Sequence, residues 1–211
     1  MTKIISISEA ELLEMELRKR AQLINSIGGY KSGILIGTVD REGQENLAIF
    51  NSIFHLGANP PLFGLIFRPD SAPRHTLSNI EETGFFTVNQ IHSKIIEQAH
   101  HTSARYEKSV SEFKAAGLTP EYKSSFFAPF VLESLVKFSA QLAEVHRLSI
   151  NNTIMVIGKI LEIHLPENTL LEDGMIDLVA ADTVAVSGLD RYMKAEEIVR
   201  LPYAKPNPQY H

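Results

Sequence analysis

Short apolar runs rich in β-branched residues recur along most of the chain, separated by turn and breaker residues rather than by long helical segments. Residues 34–39 form the first run. Asp40-Arg41-Glu42-Gly43 then reads as a hairpin turn, and residues 45–54 return as the partner strand. Asn59-Pro60-Pro61 interrupts the pattern, because proline has no N–H to give to a ladder. Residues 62–67 are apolar enough for a strand buried on both faces, and 85–89 follow as another. Residues 135–146 and 153–163 are long enough to cross a barrel; Pro166 and Asn168 end the second, and 183–187 form a shorter strand.

Helix signals sit between these runs. Ser8 followed by Glu11 is a capping box, and Leu12, Leu13, Leu17, Ala21 and Ile24 recur near helical spacing up to Gly28-Gly29. The chain is therefore expected to open with one amphipathic helix of about 17 residues from cap to breaker. Further short helices are expected up to Gly84, from Ser93 through Ala99, over 111–116 before Gly117, and over 193–200 at the end. The stretch 202–211 holds three prolines and reads as extended. Strands and helices do not alternate regularly, and no Gly-x-Gly-x-x-Gly follows a strand, so a doubly wound dinucleotide fold is disfavoured. The fold expected is mainly β with peripheral helices: one barrel of six or seven strands over 30–211, preceded by a helical extension over 1–29.

Composition narrows the chemistry. The 211 residues contain no cysteine, which excludes disulfides, thiol nucleophiles and cysteine-ligated metals. A formal charge of −5 is not that of a chain that coats nucleic acid, although one pocket can still hold a phosphate. Glu9, Glu11, Glu14 and Glu16 stand where a signal peptide would be apolar, and no apolar run approaches the roughly 20 residues of a membrane span. A cytoplasmic protein with no nucleic-acid or membrane partner is expected.

Three segments gather residues that bind or react. The loop 68–76 brings together Arg68, Arg74, His75 and Thr76 just before a helix. Arginine and free helix N–H groups suit a phosphate, while a solvated turn-rich loop is the plain alternative. Phe50-Asn51-Ser52-Ile53-Phe54 alternates rings with small polar groups; it could line a flat ligand, or its phenylalanines could simply be core. His100-His101-Thr102-Ser103 invites a metal, but adjacent helical residues point about 100° apart, so no metal site is expected and the hydroxyls are the better ligands. Glu172, Asp173 and Asp177 lack the order of a calcium loop and read as a solvated turn.

Taken in order, several motifs resemble those of the flavin reductase-like family, the FMN-binding split β-barrels. They are Asn46-Leu47-Ala48, Asn59-Pro60-Pro61, Arg74-His75-Thr76-Leu77-Ser78-Asn79-Ile80 and Glu82-Thr83-Gly84-Phe85-Phe86-Thr87-Val88-Asn89. Thr102-Ser103-Ala104, Glu112-Phe113, Ala116-Gly117-Leu118-Thr119-Pro120 and Ile157-Gly158-Lys159-Ile160 complete the set. The resemblance spans residues 30–203. It implies a Greek-key split barrel with an extra N-terminal helix, and a homodimer with one FMN per subunit near the interface. Phe50, Asn51, Ser52 and Ile53 would line the ring, and Arg68, Arg74, His75 and Thr76 would take the phosphate and ribityl chain. Asn89, Thr102 and Ser103 would complete the pocket, with Tyr192 bordering the ring. Many members have Lys-Asp-Thr in place of Arg74-His75-Thr76, which keeps the positive charge and the hydroxyl. Many have serine where this chain has Asn51, which changes the ring's hydrogen-bond partners.

The activity so implied is hydride transfer from NADH or NADPH to flavin. The flavin supplies the chemistry and the protein supplies binding and orientation, so no catalytic acid or base is assigned. The alternative is a flavoredoxin-like carrier that holds FMN and exchanges electrons with an acceptor protein.

Overall fold

The computed structural model describes residues 2–69, 74–123 and 126–205. In chain order its elements are α1 (Glu9–Glu14), α2 (Leu17–Ile27), β1 (Lys31–Ser32), β2 (Ile34–Val39), β3 (Glu45–Phe50), β4 (Ile53–Ala58) and β5 (Pro61–Phe67). There follow α3 (His75–Thr83), β6 (Phe85–Gln90), α4 (Ile96–His101), α5 (Glu112–Ala116), β7 (Pro120–Glu121) and β8 (Phe130–Val131). The last are β9 (Lys137–Arg147), β10 (Ile154–His164), β11 (Val184–Ser187) and β12 (Arg191–Lys194). Seven strands form one antiparallel sheet in the order β3-β2-β6-β9-β10-β5-β4, and β1-β11-β12 form a second, smaller sheet. The mainly β split barrel with peripheral helices read from the sequence is the fold observed.

Alternation of side chains explains the two cores. On β2, Ile34 and Ile36 point into the barrel, where they meet Phe63, Leu65, Phe67, Phe86 and Val88. Leu35 points the other way, into a second cluster with Leu47, Ile95, Ala99, Phe113 and Val184. Every residue of β2 is buried, as a strand covered on both faces requires. The second cluster thus fastens α4, α5 and the smaller sheet to the outside of the barrel.

Three expectations are corrected. The opening helix is two helices. Met15 is extended, and the Glu16 carboxylate accepts the N–H groups of Arg18 and Lys19, each at 2.9 Å, to start α2. Glutamate is not among the preferred caps, and the apolar spacing runs on across the break, so no stop signal is legible there. The capping box itself is present: Glu11 accepts from the Ser8 N–H at 2.7 Å, and Ser8 Oγ accepts from the Glu11 N–H at 3.3 Å. Second, the strand expected over 45–54 ends at Phe50; Asn51-Ser52 is a bend, after which β4 pairs with β5. Third, no helix covers 193–200. Residues 191–194 are β12, paired with β11 through Val186↔Tyr192 and Val184↔Lys194, and 195–205 have no regular structure. That pairing is non-local and outweighs the local apolar spacing. Residues 206–211 of the proline-bearing tail, and 70–73 of the loop before α3, lie outside the described residues.

The β2–β3 turn carries a testable charge. Asp40 is buried, and its Oδ1 accepts from the N–H groups of Glu42 and Gln44 at 3.1 and 2.8 Å. The Lys108 ammonium stands 2.9 Å from Oδ2. Burial alone would raise this carboxyl, but Lys108 and the two N–H groups outweigh it and hold it below the ordinary 3.8. A depressed folded value means stability that is present above the unfolded pKa and lost as pH falls through the folded one. Asp40→Ala is therefore expected to cost about 1–3 kcal/mol at neutral pH, from the two stranded donors. The gap between wild-type and variant denaturation midpoints should narrow below pH 3.8, the ordinary value for this group.

Candidate functional site

Strand β3 organises the site because it is the outer strand at one end of the seven-stranded sheet, and α3, α4 and α5 all pack against it. At its start, Asn46 is buried and its amide donates to Thr38 Oγ1 at 3.2 Å and to Thr76 Oγ1 at 2.9 Å. Asn79 donates to the same Thr38 hydroxyl at 3.2 Å. These bonds dock the first turn of α3 on β2 and β3. Arg74 is the N-cap residue, among the described residues no side chain caps the helix, and the first helical bond runs from the Ser78 N–H to the Arg74 carbonyl. The N–H groups of His75, Thr76 and Leu77 are therefore without intrahelical partners, as at any helix start, and that end bears the positive pole of the helix dipole. Thr76 accepts from Asn46 and keeps its own hydroxyl hydrogen for another acceptor.

At the other end of β3 lies the Asn51-Ser52 bend. Phe50 is half-buried and meets Phe67 edge-on at 4.8 Å, and the Ser52 carbonyl accepts from the Ile66 N–H at 3.0 Å. Arg68, next after Phe67, is thus brought beside the bend. Asn51 donates to the Gly188 carbonyl at 2.9 Å, which ties the bend to the β11–β12 turn. Asn51 stands five positions after Asn46, about 17 Å at roughly 3.4 Å per residue. That is the length scale of a tricyclic ring carrying a phosphorylated five-carbon chain.

Tyr192 packs on the same apolar cluster as Ile49 of β3. His100 Nδ1 lies 2.9 Å from the Tyr192 hydroxyl, with the rings edge to face at 5.7 Å. Burial first, and then the charge of Asp190, pushes the Tyr192 hydroxyl above its usual value of 10.0, so it stays protonated. His101 has a different partner, Tyr106 at 2.6 Å. The two adjacent histidines thus face different ways.

The Phe50–Ile53 segment thus lies at one end of β3 and Arg74, His75 and Thr76 near the other; Arg68 directly precedes Pro69, whose carbonyl accepts from Arg74 Nη2 at 2.7 Å. Two of the other residues named from the sequence are occupied elsewhere. Asn89 is fully buried; its amide donates to the Leu35 carbonyl at 3.2 Å and Thr87 Oγ1 at 2.9 Å, and its oxygen accepts from the Val131 N–H at 2.9 Å. It pins β6 to β2 and β8, with its polar atoms spent. Thr102 is buried and donates to the Ala99 carbonyl at 2.8 Å, finishing α4, whereas Ser103 beside it is exposed.

A match to the flavin reductase-like domain covers residues 27–181. The chain belongs to the flavin reductase-like family. Among solved structures, it is similar to a candidate flavin reductase with a split barrel domain from Shewanella frigidimarina NCIMB 400, with 53% identity and a TM-score of 0.92 over 95% of this chain and 100% of that one. It is similar in fold to nitrilotriacetate monooxygenase component B from Bacillus cereus, with 22% identity and a TM-score of 0.82 over 95% of this chain and 100% of that one. The flavoredoxin of Desulfovibrio vulgaris (Miyazaki F) also shares the fold, with 22% identity and a TM-score of 0.71 over 83% of this chain and 92% of that one.

Two contributors to this family member's site were not assigned roles from the sequence. Asn46 is the buried anchor of α3. Glu112, also buried, accepts the Leu47 N–H at 3.1 Å and so satisfies the open edge of β3. Burial raises its carboxyl above the usual range, against the pull of the Leu47 N–H and of His75 nearby. Both roles are long-range contacts, which residue types alone do not announce.

Proposed function

We propose that this protein binds FMN along β3 and transfers hydride from NADH or NADPH to it. The supporting observation is the donor set at the two ends of that strand. Phosphate would sit at the start of α3, beside the Thr76 hydroxyl hydrogen and the N–H groups of the first turn, where the N-cap residue Arg74 is rooted. The ring would lie along the Phe50–Ile53 bend, between apolar side chains and the small polar groups of Asn51 and Ser52. Bound FMN supplies the capacity to accept a hydride; the chain's residues position it and keep water from one edge. Tyr192 is kept protonated and bonded to His100; its hydroxyl would stand at the ring's border, as a donor when His100 Nδ1 carries the proton of their shared bond and as an acceptor when it does not.

The protein is further proposed to act as a homodimer. Neither α1 nor α2 buries a residue within one chain, and their apolar side chains Leu13, Leu17, Ile24 and Ile27 are all exposed. A second copy is the commonest partner for such a surface. A second functional reading, an electron carrier serving an acceptor protein, is favoured by β4. It is the outermost strand at the other end of the sheet, next to the bend, and it exposes Phe54 and Leu56.

One preparation tests these readings together. The purified protein is expected to be yellow, to release FMN rather than FAD on heating, and to scatter light as a dimer. Anaerobic NADH or NADPH should bleach the flavin at once. Bleaching by neither nucleotide, with FMN retained, would favour the carrier; a colourless protein that takes up no FMN would overturn both.

A further inference from the structure

A cleft of about 360 Å³ opens between α2 and the β11–β12 turn, lined by Lys19, Gln22, Ser26, Ser187, Asp190 and Arg191, with Gly188 at its base. All of these residues lie outside the stretch 27–181 that matches the family domain. The cleft is therefore built by the two segments that flank that stretch. Its base also touches the candidate ring site, because the Gly188 carbonyl accepts the Asn51 amide at 2.9 Å. Gly188 has φ +64, a conformation that favours glycine, and a Cβ there would stand 3.1 Å from Gln22 Oε1 of the helix.

The charges are uneven. Lys19 and Arg191 are exposed, and among the described residues neither takes part in an ion pair. Together with the hydroxyls of Ser26 and Ser187 and the Gln22 amide, they give the lining several donors against the single acid Asp190. Two unpaired cations over one concave surface, in a chain of net charge −5, form a local attractor for anions. A guanidinium fits a planar or tetrahedral oxyanion through two parallel bonds.

We propose that this cleft seats an oxyanion group of the flavin's redox partner: the diphosphate of the nucleotide donor or the carboxylate of a small organic acceptor. The proposal rests on the FMN reading above. The cleft would hold the non-reacting end of the partner and leave its reacting end at the Asn51 bend. Family members without these flanking segments would not share that selectivity. Arg191 and Lys19 would be binding residues, distinct from those that hold the flavin.

Calorimetric titration of the FMN-saturated protein with two probes, ADP-ribose and benzoate, tests this. At least one probe is expected to bind with unit stoichiometry. Lys19→Ala and Arg191→Ala should each weaken it about tenfold, the worth of one charge-assisted bond. FMN affinity and the melting temperature should stay unchanged. Selective binding of ADP-ribose identifies the nucleotide diphosphate as the source of the oxyanion, and selective binding of benzoate identifies a carboxylate acceptor. If neither probe binds, or if both variants bind as tightly as wild type, the cleft is not an oxyanion site. Failure of the wild type to take up FMN is read separately and sinks the flavin assignment instead.

Discussion

Arg74→Ala is expected to weaken FMN binding about tenfold to a hundredfold while leaving riboflavin affinity nearly unchanged. A charge-assisted bond contributes roughly 1.5–3 kcal/mol, and 1.4 kcal/mol is a factor of ten. Riboflavin lacks the phosphate, so it has nothing to lose at the α3 start. The comparison between the two ligands also removes an indirect effect. Arg74 Nη2 donates to the Pro69 carbonyl at 2.7 Å, so the guanidinium bridges the mouth of the loop. Losing that bridge would loosen the loop for either ligand, and only the phosphate contact separates them. Equal weakening of both ligands would show that Arg74 acts on the loop alone. No weakening of either would move the phosphate away from α3.

The parts of this site that are local in sequence were legible, and those made by long-range contacts were not. The α3 segment announces itself: two arginines and a hydroxyl stand before a helix that ends at Gly84, which indeed adopts the left-handed conformation at φ +77. The Asp40–Gly43 turn was equally plain, since Gly43 takes φ +87 and Asp40 folds back on its own turn. The structural bonds of Asn89 are not legible in the sequence, because a buried asparagine and a ligand-facing one look alike until their partners are known. Here the partners come from β2, β6 and β8. The helix expected over 193–200 gives way to β12 for a similar reason. The apolar spacing there tolerates a helix, but β11 offers an unpaired edge and the ladder forms. Lys19 and Arg191, more than 170 positions apart in the chain, become one surface only through the fold.

The largest expected effect on stability falls on a residue that the sequence presents as a mere gap in an apolar run. Gly37 lies in the middle of β2, between β3 and β6, on the face opposite Ile34 and Ile36. A Cβ at that position would stand 2.6 Å from Thr87 Oγ1 and closer still to the Pro129 carbonyl oxygen. Those two atoms are already bonded: the Thr87 hydroxyl donates to Pro129 at 2.6 Å in a buried setting. The carbonyl cannot simply retreat. It belongs to the backbone just before β8, which is held by the Asn89 oxygen through the Val131 N–H at 2.9 Å and by pairing with β7. Gly37→Ala must therefore spread β2 from β8 or break the Thr87 bond. Overpacking costs about 1–3 kcal/mol and a stranded buried partner about 1–3 kcal/mol more. For a chain of this size that lowers the melting temperature by about 5–15 °C. Gly57→Ala is the matched control: it too lies in a strand, β4, but its Cβ would meet only the Pro60 carbonyl oxygen at an ordinary 3.6 Å. Its melting temperature should stay within about 3 °C of wild type, the scale of 1 kcal/mol. If the two variants melt together, the β8 backbone yields easily and the close approach at Gly37 does not constrain the barrel.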